Sequence, residues 1–353
     1  MRQARLLSIL AVLCFCAGAM LAARGTSSAA AAGQRHQRSF LFRYEVTVPP
    51  NPERGAHLWI PVPRSDAHQT IRDLKITSEA SYKMGGDSLY GDTFAMFSPD
   101  AALAAAGYRV VMTFHVTRRE YGVNLHAPAL RNAPARIPSG DRLLQRYLEP
   151  DKLVPLNATI AELAREHTKG AATALEKARE LFTYVASTMR YDKSGDGWGR
   201  GDEMWACDSK RGNCTDFHSV LIGMLRSSGI PARFEIGFQI PEDKREGEIP
   251  GYHCWAEFYV SGAGWIPVDA SEASRNPAKR EYFFGTVDAD RVVFTYGRDI
   301  QLSAEQKGEP LNYFIYPYAE ANGQPIKNLQ TRFSFRELSG SNPVEKSAGG
   351  LGL

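Results

Sequence analysis

The chain has 353 residues, 43% of them apolar and 23% charged, with 42 Lys and Arg against 39 Asp and Glu. That composition belongs to an ordinary globular protein and excludes a fibrous or wholly disordered chain. The length is ample for one large domain or two smaller ones.

The first segment reads as an address rather than as structure. Arg2 and Arg5 precede an apolar run from Leu6 to Leu21, and small residues with Ala-x-Ala spacing end at Ala19 or Ala32. A charged start, an apolar stretch and a small-residue site make a secretory signal peptide. The run is short for a bilayer span, and Arg24 follows it. The expectation is an exported protein, periplasmic or secreted, with 1–32 as signal peptide and lead-in and no stable membrane insertion after cleavage. Residues 1–32 hold Arg2, Arg5 and Arg24 and no acid, so the net charge of +3 falls to 0 without them. A neutral body offers no footprint for nucleic acid or an anionic membrane. Cys14 and Cys16 leave with the leader, and Cys207, Cys214 and Cys254 remain. An odd count in an oxidising compartment leaves at least one free thiol, and catalysis is a reason to keep one.

From Phe40 to Val123 the chain alternates like strands, in runs such as 40–48, 57–62 and 108–116. Turn signals at Pro49-Pro50-Asn51-Pro52 and Gly85-Gly86-Asp87 separate the runs, which predicts a small antiparallel β-sandwich-like domain over 40–124. Residues 125–156 form a Pro- and Ala-rich connector with a short helical patch near Leu143–Leu148. Helical spacing then begins at Ile160, Leu163 and Ala164 and continues through Leu175, Ala178, Leu181, Phe182, Val185 and Met189. Glycines at 195, 197, 199, 201 and 212 enclose Trp198 and Trp205, which suggests a shaped surface loop. Trp198 and Trp205 are candidates either to line a substrate cleft or to anchor that loop.

A third helix carries Phe217, Val220, Leu221, Met224 and Leu225 and ends at Gly229 with Pro231 beyond. Strands follow at 233–239, 253–260 and 265–269, the last two joined by Ser261-Gly262-Ala263-Gly264. Further strands are expected at 291–296 and 312–318, and the tail 340–353 is Gly- and Ser-rich. The fold class is α+β.

Chemistry concentrates in three segments. Cys214 follows Gly212-Asn213 and opens a helix, where backbone N–H groups and the positive helix end favour thiolate. His253 begins a strand and can hold that thiolate as an ion pair and then protonate a leaving amine. Asp269 ends the next strand, and a three-residue loop over 262–264 would put it on one face with His253 to orient the imidazole. Glu257 is an alternative partner for His253. Tyr191 or Trp198 is a candidate oxyanion donor. A zinc site using Cys214 and His218 lacks the usual paired cysteines, so no metal is expected and His218 is placed beneath the helix. Cys207 and Cys254 are read as a disulfide or, for Cys254, an inert buried thiol on the packed face.

Taken together, Gly212-Asn213-Cys214, Gly229-Ile230-Pro231-Ala232-Arg233, His253-Cys254-Trp255 and Gly264-Trp265-Ile266-Pro267-Val268-Asp269 resemble the transglutaminase-like superfamily of papain-like thiol enzymes. The resemblance covers roughly 157–275 and implies Cys214 as nucleophile, His253 as base and acid, and Asp269 as orienter. It implies a transglutaminase-like catalytic domain over 157–335 with a catalytic helix packed on an antiparallel sheet, following a β domain like that of exported bacterial members. No cofactor is expected, and the partner is a protein or peptide substrate. The implied chemistry is acyl transfer through a thioester. Hydrolysis by a protease or amidase is preferred over protein cross-linking, and a non-catalytic binding module with a vestigial triad is the alternative of another class.

Overall fold

The computed structural model describes residues 36–51, 55–131 and 140–338; the segment expected to be a signal peptide and the Gly/Ser-rich tail lie outside them. Strand Gln37–Val48 alternates cleanly, and Phe40, Phe42, Tyr44, Val46 and Val48 enter the core. It pairs antiparallel with Tyr108–Arg119, in a register that sets Phe42 opposite Phe114 with rings stacked 5.2 Å apart. This sheet has five strands, in the order Glu246–Glu248, Gln330–Glu337, Gln37–Val48, Tyr108–Arg119, Gln69–Ser78. A second five-stranded sheet runs Gln324–Pro325, Tyr318–Ala321, Ala56–Val62, Thr93–Phe97, Tyr82–Gly86. Leu58, Ile60, Val62, Ala95 and Phe97 of this second sheet share one core with the aromatics of the first.

Both sheets borrow strands from the far end of the chain. Gln330–Glu337 pairs with Gln37–Val48 along eight residues, and Tyr318–Ala321 pairs with Ala56–Val62. The last strands of the stretch expected over 157–335 pair into the β-sheets that the N-terminal region starts. The physical reason is that a strand edge accepts any chain that returns to it, and sequence order does not constrain which. The expected strand at 312–318 is corrected to Tyr318–Ala321. The carbonyls ahead of it are taken by side chains instead: the Tyr44 hydroxyl donates to the Ile315 carbonyl at 2.9 Å, and the Thr295 hydroxyl donates to that of Phe314.

The third sheet is antiparallel and four-stranded, ordered Gly264–Val268, Tyr252–Val260, Ala232–Gln239, Arg291–Tyr296. Helix Cys214–Ser227 lies against it, every residue from Cys214 to Arg226 buried. Helices Ala158–His167, Ala174–Thr188, Glu203–Ser209 and Ala270–Arg275 pack around that helix. A helix enclosed on all sides must be apolar or have its polar groups satisfied, and here Asp216, His218, Ser219 and Arg226 are each hydrogen-bonded. The connector is structured where it is described: Asp151 pairs with the buried Arg226 of the central helix at 2.7 Å.

Gly237 sits opposite His253 in the sheet, at a register shift against Arg291–Tyr296. A Cβ there would lie 1.8 Å from the Val292 carbonyl oxygen, and that backbone has no room to yield. Gly237→Ala is expected to lower stability by about 1–3 kcal/mol, the scale of overpacking. Urea denaturation measures it, and an unchanged midpoint would show that the two strands part without cost.

Candidate active site

The start of the central helix is fixed by its own sequence. Asn213 caps it, its side chain accepting from the Thr215 N–H at 3.0 Å, and Asp216 reaches back to the Asn213 N–H at 2.9 Å. Asp216 also accepts from the N–H groups of Gly199 at 2.7 Å and Gly201 at 2.9 Å. One buried carboxylate thus ties the glycine loop to the helix cap. Gly212 has φ +147°, and a Cβ there would collide with Asp216 at 2.3–2.6 Å.

This geometry aims Cys214, itself 2% exposed, from the N-terminal end of the helix towards strand Tyr252–Val260. His253 stands near enough for its charge to act on the Cys214 thiol. The other end of the ring, Nε2, donates to Asp269 Oδ2 at 2.7 Å, which leaves Nδ1 to face the sulfur. The hairpin explains the second contact. Val260 pairs with Gly264 across a three-residue loop, one position earlier than the sequence suggests. Either loop keeps the same parity, so Asp269 falls on the His253 face.

Asp269 is fully buried and accepts from Arg291 at 3.1 Å, from the Ser271 hydroxyl at 2.9 Å and from the Glu272 N–H at 3.0 Å. Glu257 is held elsewhere, by Arg233 and the Tyr121 hydroxyl, so it is not the partner of His253. His218 lies beneath the helix as expected. Its Nδ1 donates to the Cys214 carbonyl at 2.8 Å and its Nε2 accepts from the Ala270 N–H at 3.2 Å. Both nitrogens are occupied by backbone, which leaves no lone pair for a metal.

Residues 161–270, which contain Cys214, His253 and Asp269, match the model of the transglutaminase-like superfamily. The core of this chain is transglutaminase-like. An uncharacterised protein of Haemophilus influenzae is 26% identical over 335 residues, spanning 84% of this chain and 89% of that one. The uncharacterised YebA of Bacillus subtilis is 28% identical over 149 residues, 38% of this chain and 20% of that protein. Among solved structures, a candidate cysteine protease from Cytophaga hutchinsonii shares the fold with a TM-score of 0.60 at 16% identity, covering 86% of this chain and 93% of that one.

Charge in the transglutaminase-like core is arranged around the thiol. Burial pushes Cys214 up, but hydrogen bonds from Cys254 and His253 and the charge of His253 more than reverse it, leaving the thiol well below its usual range. Burial pulls His253 down, but the charge and hydrogen bond of Asp269, with help from Cys214, raise it to about 10. Burial would also raise Asp269, yet His253 and Arg291 hold it well below the carboxylate range. A thiolate–imidazolium pair is the form these shifts favour.

Cys254 does face the packed side, against Thr215 and His218 at 3.8 Å. It is closer to the chemistry than the sequence suggests, because burial and the neighbouring Cys214 raise its thiol. All three described cysteines are free thiols, so Cys207 and Cys254 are not bridged. Trp198 donates its indole N–H to the Gly195 carbonyl at 3.0 Å, and the Trp205 ring packs on Gly197 under Arg211. Both tryptophans anchor the glycine loop, and the Trp198 N–H is already spent there. Tyr191 lies beside Gly212 in a short parallel pair, its ring near Phe217.

Sequence reasoning missed Asp216, Arg291 and Tyr252. The Asn213-x-x-Asp216 capping pattern was a usable signal for the first. The Tyr252 hydroxyl joins Asn213 Nδ2 at 2.9 Å to Thr215 Oγ1 at 2.8 Å, and no local pattern announces it.

A depressed thiol and a raised imidazole fix a pH window. Thiolate persists above the lowered thiol value, and imidazolium persists below about pH 10. Iodoacetamide should therefore modify Cys214 ahead of Cys207 and Cys254. Its rate should stay within about threefold between pH 6 and 9, although an ordinary thiol near 8.5 is under about 1% ionised at pH 6. Peptide mapping by mass spectrometry reads this, and a steep rise following an ordinary thiol titration would remove the ion pair.

Proposed function

We propose that this chain is an exported thiol enzyme that transfers acyl groups from amide or peptide carbonyls through a thioester, resolved by water. The observation behind this reading is the buried His253–Asp269 hydrogen bond beside a depressed Cys214 thiol at the start of a helix. Cys214 Sγ attacks the carbonyl carbon while backbone N–H groups at the helix start receive the oxyanion. The Tyr191 hydroxyl is the remaining side-chain candidate for a further donor, since the Trp198 N–H is taken by the Gly195 carbonyl. His253 gives its proton to the departing amine as the C–N bond breaks, and the acyl group stays on sulfur. Water then attacks the thioester, His253 takes its proton, and the C–S bond breaks to return the thiolate.

Asp269 keeps the ring turned with Nδ1 towards sulfur and stabilises its charged form. Hydrolysis is favoured over cross-linking because water is always at hand, whereas a second amine needs its own acceptor site. The charged and apolar start of the chain supports export.

Turnover of a peptide pool, followed by mass spectrometry, tests the assignment. Cys214→Ala should abolish it, and Asp269→Asn should lower kcat/KM by roughly 10² to 10⁴, the scale of charge loss in a comparable triad. His253→Ala should be worse, and adding Asp269→Asn to it should change little, since nothing remains to orient. Tyr191→Phe should cost about 10² to 10³ in kcat. Activity retained in His253→Ala would end the thiol-enzyme reading, and an unimpaired Asp269→Asn would remove the third member.

A further inference from the structure

Between the first sheet and the third lies a cavity of about 330 Å³ that the chemistry above does not use. Arg118 lines it from the first sheet, and Arg233, Glu235, Glu257, Trp265 and Tyr296 line it from the third. Cys214, His253 and Asp269 are not among its walls. Its volume lies at the small end of the range of about 300–1,000 Å³ for ligand pockets.

Arg118 is the odd member. It is 1% exposed, yet its Nε and Nη2 find no hydrogen-bond partner among the described residues. Its cross-strand neighbour Arg38, also buried, shows the usual arrangement, held by Asp290 at 2.8 Å and by Glu337 at 3.4 Å. A buried charge left without hydrogen bonds is strongly unfavourable, so the space beside Arg118 calls for a partner. The acids of the cavity are already engaged. Glu257 accepts from Arg233 Nε at 2.7 Å and from the Tyr121 hydroxyl. Glu235 stands 3.3 Å from the same arginine and accepts from the Trp255 indole N–H at 2.6 Å. Burial and the charge of Glu257 push the Glu235 carboxyl well up, so it keeps its proton. Asp66, at the exposed rim, accepts from the N–H groups of His68 at 2.6 Å and Gln69 at 2.8 Å. Arg233 and Glu257 cancel, which leaves the charge of Arg118 without a counterpart.

We propose that this cavity binds a small organic monocarboxylate, its two oxygens received by Nε and Nη2 of Arg118. Those two nitrogens form one edge of the planar guanidinium, and their N–H groups are spaced for the two oxygens of a carboxylate. Water supplies hydrogen-bond acceptors but no opposite charge. One open cation beside an ionised Glu257 suits a single negative charge and disfavours a phosphate dianion. The remaining wall, from Tyr121, Trp265, Val293 and Tyr296, suits a short alkyl or aryl body. Binding here neither needs nor uses the thiol.

Isothermal titration calorimetry with benzoate, butyrate, benzamide and inorganic phosphate tests the proposal. Benzoate and butyrate should bind. Benzamide, with the body of benzoate and no charge, should bind at least about tenfold more weakly than benzoate, the worth of a hydrogen bond to a charged group. Arg118→Gln should weaken benzoate by a similar factor, whereas Arg72→Gln, at an exposed arginine outside the cavity, should leave it unchanged. If the Arg118 variant does not fold, 4-bromobenzoate diffused into crystals of the unaltered protein locates the ligand by the anomalous signal of bromine. Benzoate and benzamide binding alike, phosphate matching the organic acids, no binding of either acid, or bromine found away from Arg118 would each overturn the assignment.

Discussion

The buried carboxylate of Asp269 is the constraint around which this site is organised. A fully buried anion is tolerated only when neighbours supply charge and hydrogen bonds, and Asp269 draws them from four directions. His253 comes from the preceding strand of the hairpin, Arg291 from the far edge of the same sheet, and Ser271 and the Glu272 N–H from the helix that Asp269 caps. Removing any one leaves a charge in a medium that penalises it. The same interaction that holds helix Ala270–Arg275 to the sheet also turns the imidazole towards Cys214. Stability and chemistry share one group here.

A second carboxylate does the corresponding work on the nucleophile side. Asp216 caps its own helix and gathers two glycine N–H groups from the loop that bears Trp198. That loop has few side chains with which to hold itself, so its shape depends on backbone contacts. The thiol sits between two pieces of rigid scaffolding, and its low value follows from what they bring close rather than from exposure to water.

The β-sheets contribute more than a platform. Strand Gln330–Glu337 lies between the first strand of the described chain and Glu246–Glu248, next to the turn that leads into His253. Sheet closure by the C-terminal strands therefore pins Glu246–Glu248, the stretch ahead of the strand that carries His253.

Much of the site was legible in the chain because its signals are local. A capped helix start places Cys214, and an odd-length turn between two strands puts His253 and Asp269 on one face whether the loop begins at 261 or 262. Helix periodicity and strand alternation depend on neighbours a few residues apart, which any single sequence records. Other features required the chain to come together. Arg291 reaches Asp269 only through a strand placed on the far edge of the sheet, and the Cys254 thiol meets Thr215 and His218 of the central helix only because helix and strand pack face to face. The return of residues 318–337 to the first strands was likewise undecided, since a free sheet edge offers the same hydrogen bonds to every segment that could reach it. Sequence fixes what each element can present; the competition among long-range pairings, settled by burial of the whole core, fixes what it meets.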